Sequence, residues 1–175
     1  MYHTPAAEVM LCPDKKIAVL QITKCASTTF RILKEPAYKT DWDYLPLNKE
    51  PKDITVVVII RDPADRFMSA VNMLLRTENQ FMTNVNFKNY LTTDKHFIPQ
   101  TEFLKELNEV KNIDYWYYNH DVVSEVSDYY DFKLNKNTRA NITPEKIITS
   151  VNPEFILKHY KSDYELIKKV DFLNQ

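Results

Sequence analysis

The 175-residue sequence contains no glycine, a residue that makes up about 7% of an ordinary soluble protein. That absence excludes the two commonest phosphate loops, GxxxxGK[ST] and GxGxxG, because both need glycine for close approach of the backbone to phosphate oxygens. Left-handed turn positions must be filled by residues with a Cβ, and asparagine and aspartate are the expected choices. Cysteine is scarce as well. Cys12 and Cys25 have neither a CxxC spacing nor neighbouring histidines, so no metal site is expected from them and two reduced thiols are the simplest reading. The longest apolar run, residues 54–60, is far short of the ~20 residues that cross a bilayer. The N-terminus shows no basic segment followed by an apolar one, and the expectation is a soluble, cytoplasmic protein with no membrane partner.

An excess of charge of either sign is also missing. Lys and Arg number 23 against 24 Asp and Glu, for a formal charge of -1, which excludes the global basic field that nucleic-acid binders use and leaves only a local anion site. What is present is ordinary globular composition, 44% hydrophobic and 27% charged, without repeats or low-complexity tracts. The expectation is one domain over residues 1–175, long enough to bury a core.

The apolar pattern alternates between two kinds of element. Residues 16–22 read as a buried strand, followed by a polar loop over 23–27 and a short helix to Leu33. Residues 54–60 are a β-branched run without alternation, as in a central strand covered on both faces. Asp62 then suits an N-cap and Pro63 a first helical turn, opening a helix to about Thr77. Further helices are expected over 99–110 and 121–130, with an aromatic-rich strand over 113–118 between them. Asn152 and Pro153 open a last helix, docked by a stripe of Ile156, Tyr160, Tyr164, Ile167 and Val170. Strands alternating with helices predict an α/β fold, a three-layer sandwich with a short parallel sheet, and the polar residues that follow the first strand read as a P-loop-like phosphate-binding loop lacking glycine.

Ligands of such sheets bind beyond the carboxyl ends of the strands, and two loops suited to anions fall there. The first, Thr23-Lys24-Cys25-Ala26-Ser27-Thr28-Thr29, gathers a lysine, hydroxyl groups and the first amides of a helix. The second pairs Arg61 at a strand end with Ser69 two turns into the next helix, a combination able to share phosphate oxygens.

The segment Ile22-Thr-Lys-Cys-Ala-Ser-Thr-Thr-Phe30 resembles the 5′-phosphosulfate loop of PAPS-dependent sulfotransferases (PAPS is 3′-phosphoadenosine 5′-phosphosulfate). Val58-Ile-Ile-Arg-Asp-Pro-Ala-Asp-Arg-Phe-Met-Ser-Ala70 resembles the 3′-phosphate motif of the same superfamily, in the same order and with the same spacing from Arg to Ser. Three shorter segments are similar to the branch that includes the Golgi carbohydrate sulfotransferases: His96-Phe-Ile-Pro-Gln100, Ile113-Asp114-Tyr115 and Tyr160-Lys-Ser-Asp-Tyr-Glu-Leu166. The likeness spans residues 17–167. The chain departs from the branch in lacking a glycine and a following glutamate near Tyr115, and in lacking an anchor and a cysteine-bridged character.

The resemblance implies transfer of a sulfuryl group from PAPS to a hydroxyl acceptor, a carbohydrate or another small alcohol or phenol, with PAP as product. It places Lys24 at the bridging oxygen, where negative charge grows, with Cys25, Ala26, Ser27, Thr28 and Thr29 around the 5′-phosphosulfate. It places Arg61 and Ser69 at the 3′-phosphate, and Lys136 in a polar loop over 131–143 that closes on the nucleotide. A sulfuryl group carries less charge than a phosphoryl group, so no metal is inferred. The hydroxyl must also lose a proton: His96 is the first candidate for the base, with the carboxylates of Asp41, Asp43 and Glu50 as alternatives. The Tyr115-Trp116-Tyr117-Tyr118 run reads as a packed strand or as an adenine platform. Two other functions stay open, a P-loop-type nucleotide kinase and a nucleotide-binding module without catalysis.

Overall fold

The computed structural model describes residues 8–12, 16–33, 43–46, 53–77, 87–105, 107, 110–132 and 150–173. The fold is α/β. Its strands are β1 (Glu8–Cys12), β2 (Ile17–Leu20), β3 (Asp43–Pro46), β4 (Thr55–Ile60) and β5 (Asn112–Tyr117). The helices are α1 (Ser27–Leu33), α2 (Pro63–Thr77), α3 (Phe87–Thr93), α4 (Gln100–Phe103), α5 (Val122–Tyr129), α6 (Pro153–His159) and α7 (Lys161–Leu173). Contacts divide the chain into two compact units, one of Ala6–Ile60 with Leu104–Ile142, the other of Met1–Pro5, Arg61–Phe103 and Thr143–Gln175.

The first unit holds the sheet, in the order β3-β1-β2-β4-β5. β2, β4 and β5 run parallel, with Ala18 opposite Val56 and Val57 opposite Asp114. β1 is antiparallel both to β2, with Met10 opposite Val19, and to β3, with Met10 opposite Tyr44. The sheet is therefore mixed, where the sequence pattern predicts parallel strands alone. β1 and β3 escape a pattern-based reading because Glu8-Val-Met-Leu-Cys12 is short and poor in β-branched residues, and Asp43-Tyr-Leu-Pro46 is polar and ends in proline. β2 and β4 are buried along almost their whole length, which is why they show no alternation. β5 at the edge is only half-buried.

The second unit is helical and packs around Phe67 of α2. Its ring lies 5.7 Å from Phe97, 5.6 Å from Phe155 and 6.1 Å from Tyr160, all in tilted or edge-on arrangements that aromatic quadrupoles favour. Ala70, Val71, Leu74, Leu91 and Ile156 complete this core. Both expected caps form: Asp62 Oδ1 accepts from the Asp65 amide at 3.0 Å, and Asn152 Oδ1 from the Glu154 amide at 2.9 Å.

Two helices differ from expectation. α4 covers only Gln100–Phe103, and the chain continues through tighter turns, with the Leu107 amide bonded to the Leu104 carbonyl and Val110 to Leu107. The C-terminal stripe is split at Tyr160 into α6 and α7. Ile156, Tyr160 and Val170 of that stripe are buried.

Candidate functional site

The loop after β2 solves a backbone problem without glycine. Lys24 has φ 65° and Ala26 φ 63°, while Cys25 between them and Ser27 after them have no positive φ. Left-handed residues set between neighbours of negative φ occur in backbone concavities that take up anions; here the intervening Cys25 amide is given to the Ile22 carbonyl. Neither left-handed residue is the expected Asn or Asp. Of the other described positive-φ residues, Lys16 and Asp131, only Asp131 fits that expectation. Each left-handed residue with a Cβ costs roughly 1–2 kcal/mol, a cost the surrounding structure has to offset.

Burial anchors the loop. Cys25 is 2% exposed, its side chain turned into the core and its amide donated to the Ile22 carbonyl at 3.2 Å. Phe30, fully buried, donates its amide to the Ala26 carbonyl at 3.0 Å, so Ala26 is the cap position of α1. The first turn, Ser27 to Thr29, directs its amides outward along the helix axis. Ser27 is buried, and Lys24, Thr28 and Thr29 are partly exposed. The chain leaves β2 and β4 at the same end of the strands, because the two are parallel neighbours. Cys12 and Cys25 are both buried.

In the helical unit, Arg61 is held by its main chain. Its amide donates to Gln100 Oε1 at 2.9 Å, and its carbonyl accepts from Gln100 Nε2 at 2.8 Å. Gln100 is itself tied to Asp163, whose Oδ2 accepts from the Gln100 amide at 2.9 Å. Asp163 Oδ1 accepts from the Thr101 amide at 3.0 Å and from the Thr101 hydroxyl at 3.1 Å. A carboxylate at the start of α4 satisfies its first amides and complements its dipole. Ser69 is partly buried on α2.

His96 lies in the turn after α3, partly exposed. Asp94 Oδ1 accepts from its amide at 2.8 Å and stands 2.7 Å from its Nδ1. In the neutral imidazole, an Nδ1–H donated to that carboxylate leaves Nε2 as the acceptor nitrogen. The same segment is held from behind by Arg66, which is fully buried. Its Nη1 donates to the Ile98 carbonyl at 2.8 Å and its Nη2 to the Lys95 carbonyl at 3.3 Å, with the guanidinium 5.9 Å from the centre of the Phe103 ring. The buried Tyr160 hydroxyl donates to the Phe97 carbonyl at 2.5 Å.

The structure thus brings together two of the short segments singled out in the sequence. His96-Phe-Ile-Pro-Gln100 and Tyr160-Lys-Ser-Asp-Tyr-Glu-Leu166 meet through Tyr160 with Phe97 and Asp163 with Gln100. Arg66, Asp94, Gln100 and Asp163 have roles that the sequence reading does not assign. Their only signal is membership in, or closeness to, those quoted segments. Lys24 to Thr29 stand in the sheet unit, and Arg61, Ser69 and His96 in the helical one. Asp43 opens β3. Asp41, Glu50 and Lys136 lie outside the described residues.

The aromatic run of β5 is part of a polar cluster. Asp114 Oδ2 accepts from Trp116 Nε1 and from the Tyr130 hydroxyl, both at 2.7 Å. Burial, together with that bond and the Asp114 charge, pushes the Tyr130 phenol well above its ordinary range. The Trp116 ring meets Tyr129 edge-on at 5.5 Å, and Tyr129 meets Tyr130 at 4.8 Å. These rings pack on one another. His120 is exposed, and the His159 ring stacks on Phe155 at 5.6 Å.

Among the described residues, no helix is long and apolar enough to cross a membrane. No family model, curated protein or solved structure matches the chain.

Proposed function

We propose that this protein is a sulfotransferase that moves a sulfuryl group from PAPS to a hydroxyl acceptor. The observation that carries the reading is the loop after β2, where Lys24 and Ala26 have left-handed φ, the residues beside them do not, and the chain leads into α1. It is a glycine-free equivalent of a phosphate loop, with a lysine inside it. The donors present fit the nucleotide: a lysine and helix-start amides for the 5′ end, and an arginine with a fixed main chain for the 3′-phosphate.

PAPS supplies the sulfuryl group, and PAP leaves. Lys24 contributes a point charge matched to an oxygen that becomes more negative, so it lowers the barrier more than it strengthens binding. Ser27, Thr28 and Thr29 add donors, and Arg61 with Ser69 distinguishes a 3′-phosphate from a free hydroxyl. His96 accepts the proton of the hydroxyl at Nε2, with Asp94 holding the ring. Lys136 joins the site on the resemblance alone.

The test compares binding of PAP, ADP and ATP with Mg²⁺ by thermal shift, followed by transfer of radiolabelled sulfate to sugars, phenols and lipids. Preferential stabilisation by PAP and labelled product are expected. Better binding of ATP with Mg²⁺ assigns phosphoryl transfer instead. Binding of PAP without transfer to any acceptor describes a nucleotide-binding module.

A further inference from the structure

We infer that Gln100 and Asp163 are positioning residues for Arg61, fixing the main chain from which its guanidinium reaches the second phosphate of a nucleotide bisphosphate. The inference rests on the role proposed above for Arg61.

Arg61 follows the last residue of β4 and precedes Asp62 and Pro63, where α2 begins. The Ile60 carbonyl, in the same peptide as the Arg61 amide, accepts from the Tyr118 amide at 2.7 Å, but the ladder ends there and Pro63 has no N–H to contribute. Gln100 takes the place of a neighbouring strand. Its side-chain amide offers one acceptor and one donor, and both are used on the same residue, Oε1 with the Arg61 amide and Nε2 with the Arg61 carbonyl. Only Asn and Gln carry an amide C=O and NH₂ side by side, spaced to meet the C=O and N–H of one residue.

Asp163 reinforces the orientation of the amide that the Arg61 N–H and C=O already require. A carboxylate only accepts, and its Oδ2 lies 3.4 Å from Gln100 Nε2, so the NH₂ group must face Asp163 and the oxygen must face the Arg61 amide. The two hydrogens of Nε2 then serve the Arg61 carbonyl and Asp163. Gln100 and Asp163 are both fully buried, where an unmet polar group is costly and the arrangement is correspondingly rigid.

Capping of α4 accounts for the bonds from the Gln100 and Thr101 amides to Asp163. It does not account for the Gln100 side chain, which runs to a residue 39 positions away and brackets it. The guanidinium stands at the end of a long side chain, so a small rotation of the Arg61 peptide displaces it by about 1 Å. A shift of that size is enough to spoil a fork of charge-assisted bonds.

The experiment measures the dissociation constants of PAP and of AMP for the native protein and for Arg61→Ala, Gln100→Ala, Gln100→Met and the Arg61→Ala/Gln100→Ala double variant. The ratio of the AMP to the PAP constant isolates the 3′-phosphate. It should be on the order of tenfold or more in the native protein, as one charge-assisted contact supplies, and should fall sharply in Arg61→Ala, to whatever Ser69 alone contributes. Gln100→Ala should also collapse the ratio while AMP binding stays within about twofold, and the double variant should lose nothing further. Gln100→Met keeps the volume of the side chain and serves if the alanine variant does not fold. If Arg61→Ala abolishes the ratio and the Gln100 variants keep it, or weaken both ligands equally, the positioning role is wrong and Arg61 keeps its own. If Arg61→Ala leaves the ratio intact, or the native protein shows none, the reading of Arg61 itself fails and this inference falls with it.

Discussion

Tyr160, at the break between α6 and α7, donates its hydroxyl to the carbonyl oxygen of Phe97, and neither residue is exposed to solvent. The bond joins the C-terminal helices to the segment that carries His96 and Gln100. Tyr160→Phe keeps the ring against Phe67 and removes only the hydroxyl, leaving a buried carbonyl without that donor. A loss of about 1–3 kcal/mol in urea unfolding is expected. A loss below about 0.5 kcal/mol means that the carbonyl finds another donor and that the junction does not depend on this bond.

The left-handed alanine makes an unusual forecast, since replacing it by glycine should stabilise the protein. Ala26→Gly removes a Cβ clash of roughly 1–2 kcal/mol and returns about 0.4–1 kcal/mol as extra freedom of the unfolded chain. The net gain should lie between about zero and 1.6 kcal/mol. Ala26→Val should be clearly destabilising, because a β-branched residue is poorly tolerated at positive φ. A lower melting temperature for the glycine variant contradicts the strain assigned to this loop.

His96 and Asp94 should separate binding from turnover. His96→Ala should lower sulfate transfer by roughly 10²–10⁴-fold while PAP affinity and melting temperature stay near those of the native protein. Asp94→Asn should lower transfer less, through loss of the ring orientation set by the Nδ1 contact. An active His96→Ala variant moves the search for the base to Asp41, Asp43 and Glu50.

The acid side of the stability profile should carry the signature of His159. Burial pushes its imidazole below the ordinary value of 6.5, against smaller opposing effects of the Phe97 backbone and Asp163. Below pH 6.5 the unfolded chain therefore takes up the proton first, and stability falls as pH falls until the folded value is passed. His159→Phe, which retains an aromatic ring against Phe155, should reduce that slope. An unchanged slope assigns the acid limb to other groups.

Much of the sheet is legible in the sequence because its central strands are long enough in β-branched residues to leave no other reading. Thr55–Ile60 is the clearest case, and the Asp62-Pro63 start of α2 follows from local capping chemistry alone. What escapes depends on residues far apart in the chain. The short α4 is capped by Asp163, 63 positions downstream of Gln100, and the stripe shared by α6 and α7 breaks where Tyr160 bonds Phe97, another 63 positions away. No local pattern encodes either partner.

The candidate site divides along the same line. Lys24 and Arg61 stand out by residue type at strand ends, and so can be singled out from sequence. The handedness of Lys24 and Ala26 cannot, because propensity alone assigns such positions to Asn or Asp, and here burial of Cys25 and Phe30 overrides it.

The interleaving of the two units sets an order of completion during synthesis. The sheet unit ends at Ile142, but the helical unit also draws on Thr143–Gln175, and Asp163 lies in that final stretch. A nascent chain stopped anywhere from residue 104 to 162 already contains Arg61 and Gln100 and still lacks the carboxylate that braces the glutamine. Domains of this size fold as their sequence emerges from the ribosome, and contacts of long sequence separation form late. The loop after β2 in the sheet unit should accordingly be in place before Arg61 is fixed. Truncations that remove α7 should yield chains with an ordered sheet and an unanchored arginine.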